Sequence, residues 1–125
     1  MIQLTPTEEQ IAQFESVKTT RKCQYMVLTL NEGNNAFEVL KMGEKGAPYE
    51  ELMEHFPKDD CRYVITDFEY TTNENPPRKT SKLILFLWCP STAKITRKFP
   101  FASANGPLKN AFTGIQKEIQ VITYI

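Results

Sequence analysis

Six consecutive large apolar residues, Leu83-Ile84-Leu85-Phe86-Leu87-Trp88, set the frame for what this chain can fold into. Successive side chains of a strand point to opposite faces, so a run without alternation is buried on both and needs a covering layer above and below. The run therefore predicts the central strand of a sheet with helices on both faces, and it is far too short to cross a membrane as a helix. With 125 residues, 41% of them hydrophobic, the chain supplies one core, so a single domain over residues 1–125 is expected and disorder is excluded.

The remaining segments supply neighbours for that strand. Thr5 and Glu8 have the T-x-x-E spacing of a capping box with Pro6 at the first helical position, and Ile11, Phe14 and Val17 follow on one face, which predicts a helix over residues 6–18. Residues 24–30 and 36–42 are β-rich and flank Asn31-Glu32-Gly33-Asn34-Asn35, a cluster that tolerates the left-handed region, so they read as a hairpin. Tyr49, Leu52, Met53 and Phe56 recur at helical spacing between Pro48 and Pro57, predicting a short amphipathic helix packed on the sheet. Residues 61–70 and 82–89 are the next strands, joined by a loop, 71–81, whose Asn75-Pro76-Pro77 cannot join a ladder and which carries Arg78 and Lys79. A short helical segment around 108–112 and an alternating strand over 115–124 complete an α/β (α+β) order.

Charge is balanced in total and segregated along the chain. Residues 1–74 hold 7 Lys/Arg against 14 Asp/Glu, whereas residues 75–117 hold 8 Lys/Arg and no acid. Such a one-sided field steers encounters with an acidic partner, whether nucleic acid, anionic lipid or an acidic protein surface. Stacking of bases would need exposed aromatics among the cations; Trp88 belongs to the buried strand, which leaves Phe99 and Phe101 and disfavours nucleic acid. Basic residues beside apolar ones on a helix are the anatomy of a protein-protein site.

Catalytic patterns are missing. His55 is the only histidine and falls on the polar side of the second helix, where a solvated role is expected, and no metal-ligand spacing surrounds it. Gly43, Gly46, Gly106 and Gly114 are not spaced to cradle a phosphate, and Glu50, Glu51, Glu54, Asp59 and Asp60 read as a hydrated face. No enzyme activity, metal or cofactor is expected. Cys23, Cys61 and Cys89 lie far apart with no C-x-x-C pair, which predicts three buried thiols in a reducing compartment, the cytoplasm.

The segment Ser81-Lys82-Leu83-Ile84-Leu85-Phe86-Leu87-Trp88-Cys89-Pro90, followed by Thr92-Ala93, Lys98, Ala102-Ser103, Leu108-Lys109 and Thr113-Gly114-Ile115, resembles the actin-depolymerising factor (ADF)/cofilin family. Asp67-Phe68-Glu69-Tyr70, Lys22-Cys23-Gln24-Tyr25 and Cys61-Arg62-Tyr63-Val64 continue the likeness in order along nearly the whole chain. The resemblance implies the ADF-homology fold, a mixed central sheet of five or six strands with helices on both faces, and actin as the partner of a monomeric, cytoplasmic protein. It implies an actin monomer-binding helix with Lys98 and Lys109 as basic contacts, Arg97 as a substitute for a charge missing at Thr96, Ser103 as a small residue facing actin, and Phe99 as the apolar anchor, with core packing as the rival role for Phe99. Asn105 and Asn110 also stand where members often carry a cation.

Three departures from the family pattern shape the expected activity. Pro100 and Gly106-Pro107 predict that the family's long helix is broken near Phe99 and restarts near Asn105 as a cap. The family's filament surface is matched by Arg78, Lys79 and Lys82, but its C-terminal helix has no counterpart, so monomer binding and filament turnover are expected with weak or altered filament binding and severing. The family's phosphorylatable serine is replaced by Met1-Ile2-Gln3, and Thr5 is assigned to the helix cap. Phosphoinositide binding is compatible with the basic half. The alternatives are a regulator of the glia-maturation-factor or coactosin type, acting on actin branching or filaments, and a basic lipid- or nucleic-acid-binding module.

Overall fold

The computed structural model describes residues 5–122, so the expectations on residues 1–4 and 123–125, including the Met1-Ile2-Gln3 segment, lie outside the described residues. Strands β1 (Cys23–Leu30), β2 (Phe37–Glu44), β3 (Arg62–Thr71), β4 (Lys79–Cys89) and β5 (Lys117–Ile122) form one sheet in the order β2-β1-β3-β4-β5, with helices α1 (Glu8–Lys18), α2 (Tyr49–Met53) and α3 (Ile95–Ala111). β1 pairs antiparallel with β2 and β3, β3 pairs antiparallel with β4, and β4 pairs parallel with β5 across the α3 connection.

The unalternating run divides its side chains between two cores. Leu83, Leu85, Leu87 and Cys89 pack with Phe14 and Val17 of α1 and Phe101, Ala104 and Leu108 of α3. Phe86 faces the other way, with Tyr25, Val27 and Val64 beneath Leu52 and Phe56 of the α2 segment. Both faces are therefore covered, as a run without alternation requires. The middle strand, however, is β3 and not β4. Two-sided burial marks an interior strand, and one strand beyond β4 is enough to produce it.

Several boundaries differ from the sequence expectation for local reasons. The chain has two boxes, Thr5/Glu8 and Thr7/Gln10, and the second is used: the Gln10 amide N–H donates to Thr7 Oγ1 at 3.1 Å and Thr7 N–H to Gln10 Oε1 at 3.0 Å. Gln10 Nε2 also donates to the Phe37 carbonyl at 2.7 Å, a bond that a glutamate could not make. Helix α1 consequently starts at Glu8, and neither Pro6 nor the Thr5 cap belongs to it. Pairing of Thr71 with Lys79 shortens the predicted 71–81 loop and moves Lys79 into β4. Helix α2 has only five residues, so Leu52 is buried while Met53 is 63% exposed. Cys61 and Cys89 are buried, but Cys23 is only half-buried.

Helix α3 is the largest correction: it is unbroken from Ile95 to Ala111 with Pro100 and Pro107 inside it. An interior proline costs about 3 kcal/mol, but burying each large apolar side chain returns about 1.5–3 kcal/mol, and Phe101 and Leu108 of α3 and Phe112 at its end are all fully buried. Pro100 has no N–H for the Thr96 carbonyl, and the Asn34 side-chain amide donates to that oxygen instead, at 3.3 Å. The Tyr63 hydroxyl donates to the Phe101 carbonyl one residue further on. Asn105 caps nothing: it is buried in mid-helix and donates to Glu118 Oε1 of β5 at 2.6 Å.

Candidate protein-docking site

The apolar residues of α3 divide it into two faces. Phe101, Ala104, Asn105 and Leu108 point into the core, while Ile95, Phe99, Ala102, Ser103, Gly106 and Lys109 are exposed. Ile95 and Phe99 are one helical turn apart and 63% and 67% exposed, so their side chains form one apolar edge at the start of the helix. Phe99 therefore lies outside the core. Ile95 was not singled out from the sequence; its position four residues before Phe99 was the available signal. Ala102, Ser103 and Gly106 continue the stripe with little bulk, which lets another surface come close.

The cations of α3 are held unequally. Arg97 lies about 200° around the helix from both Ile95 and Phe99, since each residue advances about 100°. It turns inward: Nε donates to Asp60 Oδ1 at 3.1 Å, and the guanidinium also reaches the Asn31 carbonyl, Asn34 Oδ1 and the Leu30 carbonyl at 3.0, 2.7 and 3.1 Å. Lys98 Nζ donates to the Ser91 carbonyl at 3.1 Å, and Lys109 pairs with Glu118. Ser103 stands in the open stripe.

The second group of candidates sits elsewhere. Arg78 precedes β4 and lies 3.9 Å from Glu74, Lys79 opens β4, and Lys82 stands 5.9 Å from the centre of the Tyr70 ring. Ten strand steps of about 3.3 Å place Lys79 about 33 Å from Cys89 along β4, and seven place Lys82 about 23 Å from it, so these cations lie toward the end of β4 remote from the start of α3.

The acids are less uniformly hydrated than their spacing implied. Burial alone pushes the Asp60 carboxyl up, but hydrogen bonds from Arg97, Arg62 and the Cys61 N–H outweigh it and hold the group below the usual range. Glu118 is held down in the same manner by Lys109, Gln120 and Asn105 against its burial. Glu51 accepts from the Tyr25 hydroxyl at 2.7 Å, and burial followed by that bond pushes the phenol up. His55 is half-buried, with its Nε2 3.3 Å from the same hydroxyl, and so is less open to solvent than its spacing implied. Among the described residues there is no group of three or more His, Cys, Asp or Glu able to hold a metal ion, and no helix long and apolar enough to cross a membrane.

Against known sequences, the family described as cofilin/tropomyosin-type actin-binding protein matches residues 3–123. The chain is 35% identical to actin-depolymerizing factor 3 of Arabidopsis thaliana over 107 residues, 86% of this chain and 76% of that protein. It is 31% identical to cofilin of Saccharomyces cerevisiae over 113 residues, 90% of this chain and 78% of that protein. Among solved structures, Streptomyces griseoflavus cofilin superposes with a TM-score of 0.83 at 30% identity, covering 97% of this chain and 87% of the other.

Proposed function

The chain belongs to the ADF/cofilin family of actin-binding proteins, and on that premise we propose that it binds actin monomers through the start of α3 and promotes depolymerisation and turnover of filaments. The observation that carries the reading is the Ile95–Phe99 edge, an exposed apolar pair on a helix whose Phe101 and Leu108 are fully buried. Rigid apolar anchors of this kind supply most of the affinity at a docking site, with charges at the rim for steering. Lys98, Ser103 and Lys109 line that rim, and Arg78, Lys79 and Lys82 form a second surface, with Glu74 near Arg78 and the half-buried Tyr70 ring near Lys82, suited to an acidic filament side. A surface that presents mainly exposed charge binds more weakly at physiological salt, so filament engagement is the lesser of the two. The protein works with no covalent chemistry, as a monomer in the cytoplasm, by binding one actin conformation better than another. The same cations suit phosphoinositide headgroups as a competing ligand.

Sedimentation of preformed actin filaments tests this reading. The expected result is transfer of actin to the supernatant with little of the protein in the pellet, and a Phe99→Ala variant that is about tenfold weaker in this effect. Stoichiometric pelleting with intact filaments would replace it with filament-side binding.

A further inference from the structure

We infer that Arg97 is a positioning residue for the Ile95–Phe99 edge and not itself a contact with the partner. This inference rests on the reading of α3 as the docking helix. The Arg97 cation lies in the acid-free stretch of the sequence, which suggests availability for an acidic partner. In the fold its side chain is 18% exposed and is bound to three separate pieces of chain: Asp60 before β3, the end of β1 through Thr29 and Leu30, and the β1–β2 turn through Asn31 and Asn34. Its Cζ also sits 5.0 Å from the centre of the Phe101 ring, one turn further along α3.

A second bond, from the other end of the Asn34 side-chain amide that accepts from Arg97, ties the same turn to the same helix. Asn34, at φ 56°, donates to the Thr96 carbonyl at 3.3 Å, the carbonyl that Pro100 leaves without a helical donor. The first turn of α3 would otherwise be its least secure part: Lys94 makes no side-chain cap, the first turn has no acidic residue, and Pro100 removes a bond. Arg97 and Asn34 thus clamp the exposed edge from the side opposite to it. The planar guanidinium fork bridges a carboxylate, carbonyls and an amide at once, which a lysine ammonium cannot reproduce.

Two measurements separate this inference from the function it rests on. In the free protein, hydrogen exchange at the amides of Lys98, Phe99 and Phe101 should accelerate about tenfold or more in Arg97→Ala and in Asn34→Gly, the latter keeping a residue suited to positive φ. Unchanged exchange at those amides in both variants would overturn the clamp whatever the protein binds. With monomeric actin, Arg97→Ala and Phe99→Ala should each weaken binding about tenfold, the double variant should fall well short of about a hundredfold, and Arg97→Lys should fail to restore affinity. The slope of affinity against salt should stay at its wild-type value in Arg97→Ala. Additive losses with a shallower salt slope would make Arg97 a direct contact and overturn the inference, whereas absence of binding by the unmodified protein would remove the actin reading and leave the exchange result standing.

Discussion

A single missing Cβ shapes the α2 face of the sheet. Tyr25 pairs with Gly43 across β1 and β2, and a Cβ built on Gly43 would lie 2.0 Å from the tyrosine ring. Gly43→Ala must therefore displace a ring that is 1% exposed and whose hydroxyl is bound to Glu51. A loss of about 2 kcal/mol is expected, read as a lower urea midpoint with unchanged slope. Asp60 gives a prediction with a defined pH window. Its folded pKa is depressed, so its contribution is present above the unfolded value near 4 and is lost as pH falls through the folded value. Asp60→Asn should cost about 1–3 kcal/mol at pH 7, and the gap to the unmodified protein in urea melts should narrow steadily below about pH 4. A gap that stayed constant down to pH 3 would separate the loss from the carboxylate charge.

At the scale of elements, α3 is where local propensity and tertiary packing disagree, and packing decides. The helix retains Gly106 on its exposed side, where an added Cβ meets nothing within 4 Å beyond its chain neighbours, of which one is Pro107. Gly106→Ala sets a gain of about 0.5–1 kcal/mol in helix propensity against the clash of its Cβ with the following proline ring, so the melting temperature should stay close to that of the unmodified protein. A marked rise would mean that the Pro107 ring does not press on residue 106. The continuity of α3 was not legible in the sequence because the donor that accommodates Pro100 comes from Asn34, 66 residues before it in the chain. The use of Thr7 in place of Thr5 was hidden for the same reason, since the Phe37 carbonyl that favours Gln10 belongs to β2. What could be read was what local pattern alone determines: the two-sided burial of 83–88, the 24–30 and 36–42 hairpin, and the Leu52/Phe56 spacing. The site divided along the same line. Likeness to a family singled out Phe99 and Ser103, which the fold leaves exposed, but the inward turn of Arg97 depended on partners in three other segments.

Across the whole molecule, the segregation of charge becomes a separation in space. Two cations of the acid-free stretch are neutralised on α3: Arg97 near its start meets Asp60, and Lys109 near its end meets Glu118, which stands beside Leu85 of β4. At the other end of β4, Lys79 and Lys82 are exposed and Arg78 has only a distant glutamate at 3.9 Å. With about 23–33 Å along β4 between Lys82 or Lys79 and the start of α3, well beyond the Debye length of about 8 Å at physiological salt, a charge change at these cations is largely screened at the Ile95–Phe99 edge. A Lys79→Glu/Lys82→Glu variant should therefore leave the affinity for actin monomers within about twofold of the unmodified protein, while reducing its residual association with filaments in low-salt pelleting about tenfold. Raising the salt should remove the difference in pelleting, because the proposed contact at that end rests mainly on exposed charge. An equal loss of monomer and filament binding would mean that both actin forms use one continuous surface, and that the two ends of β4 are not separate sites.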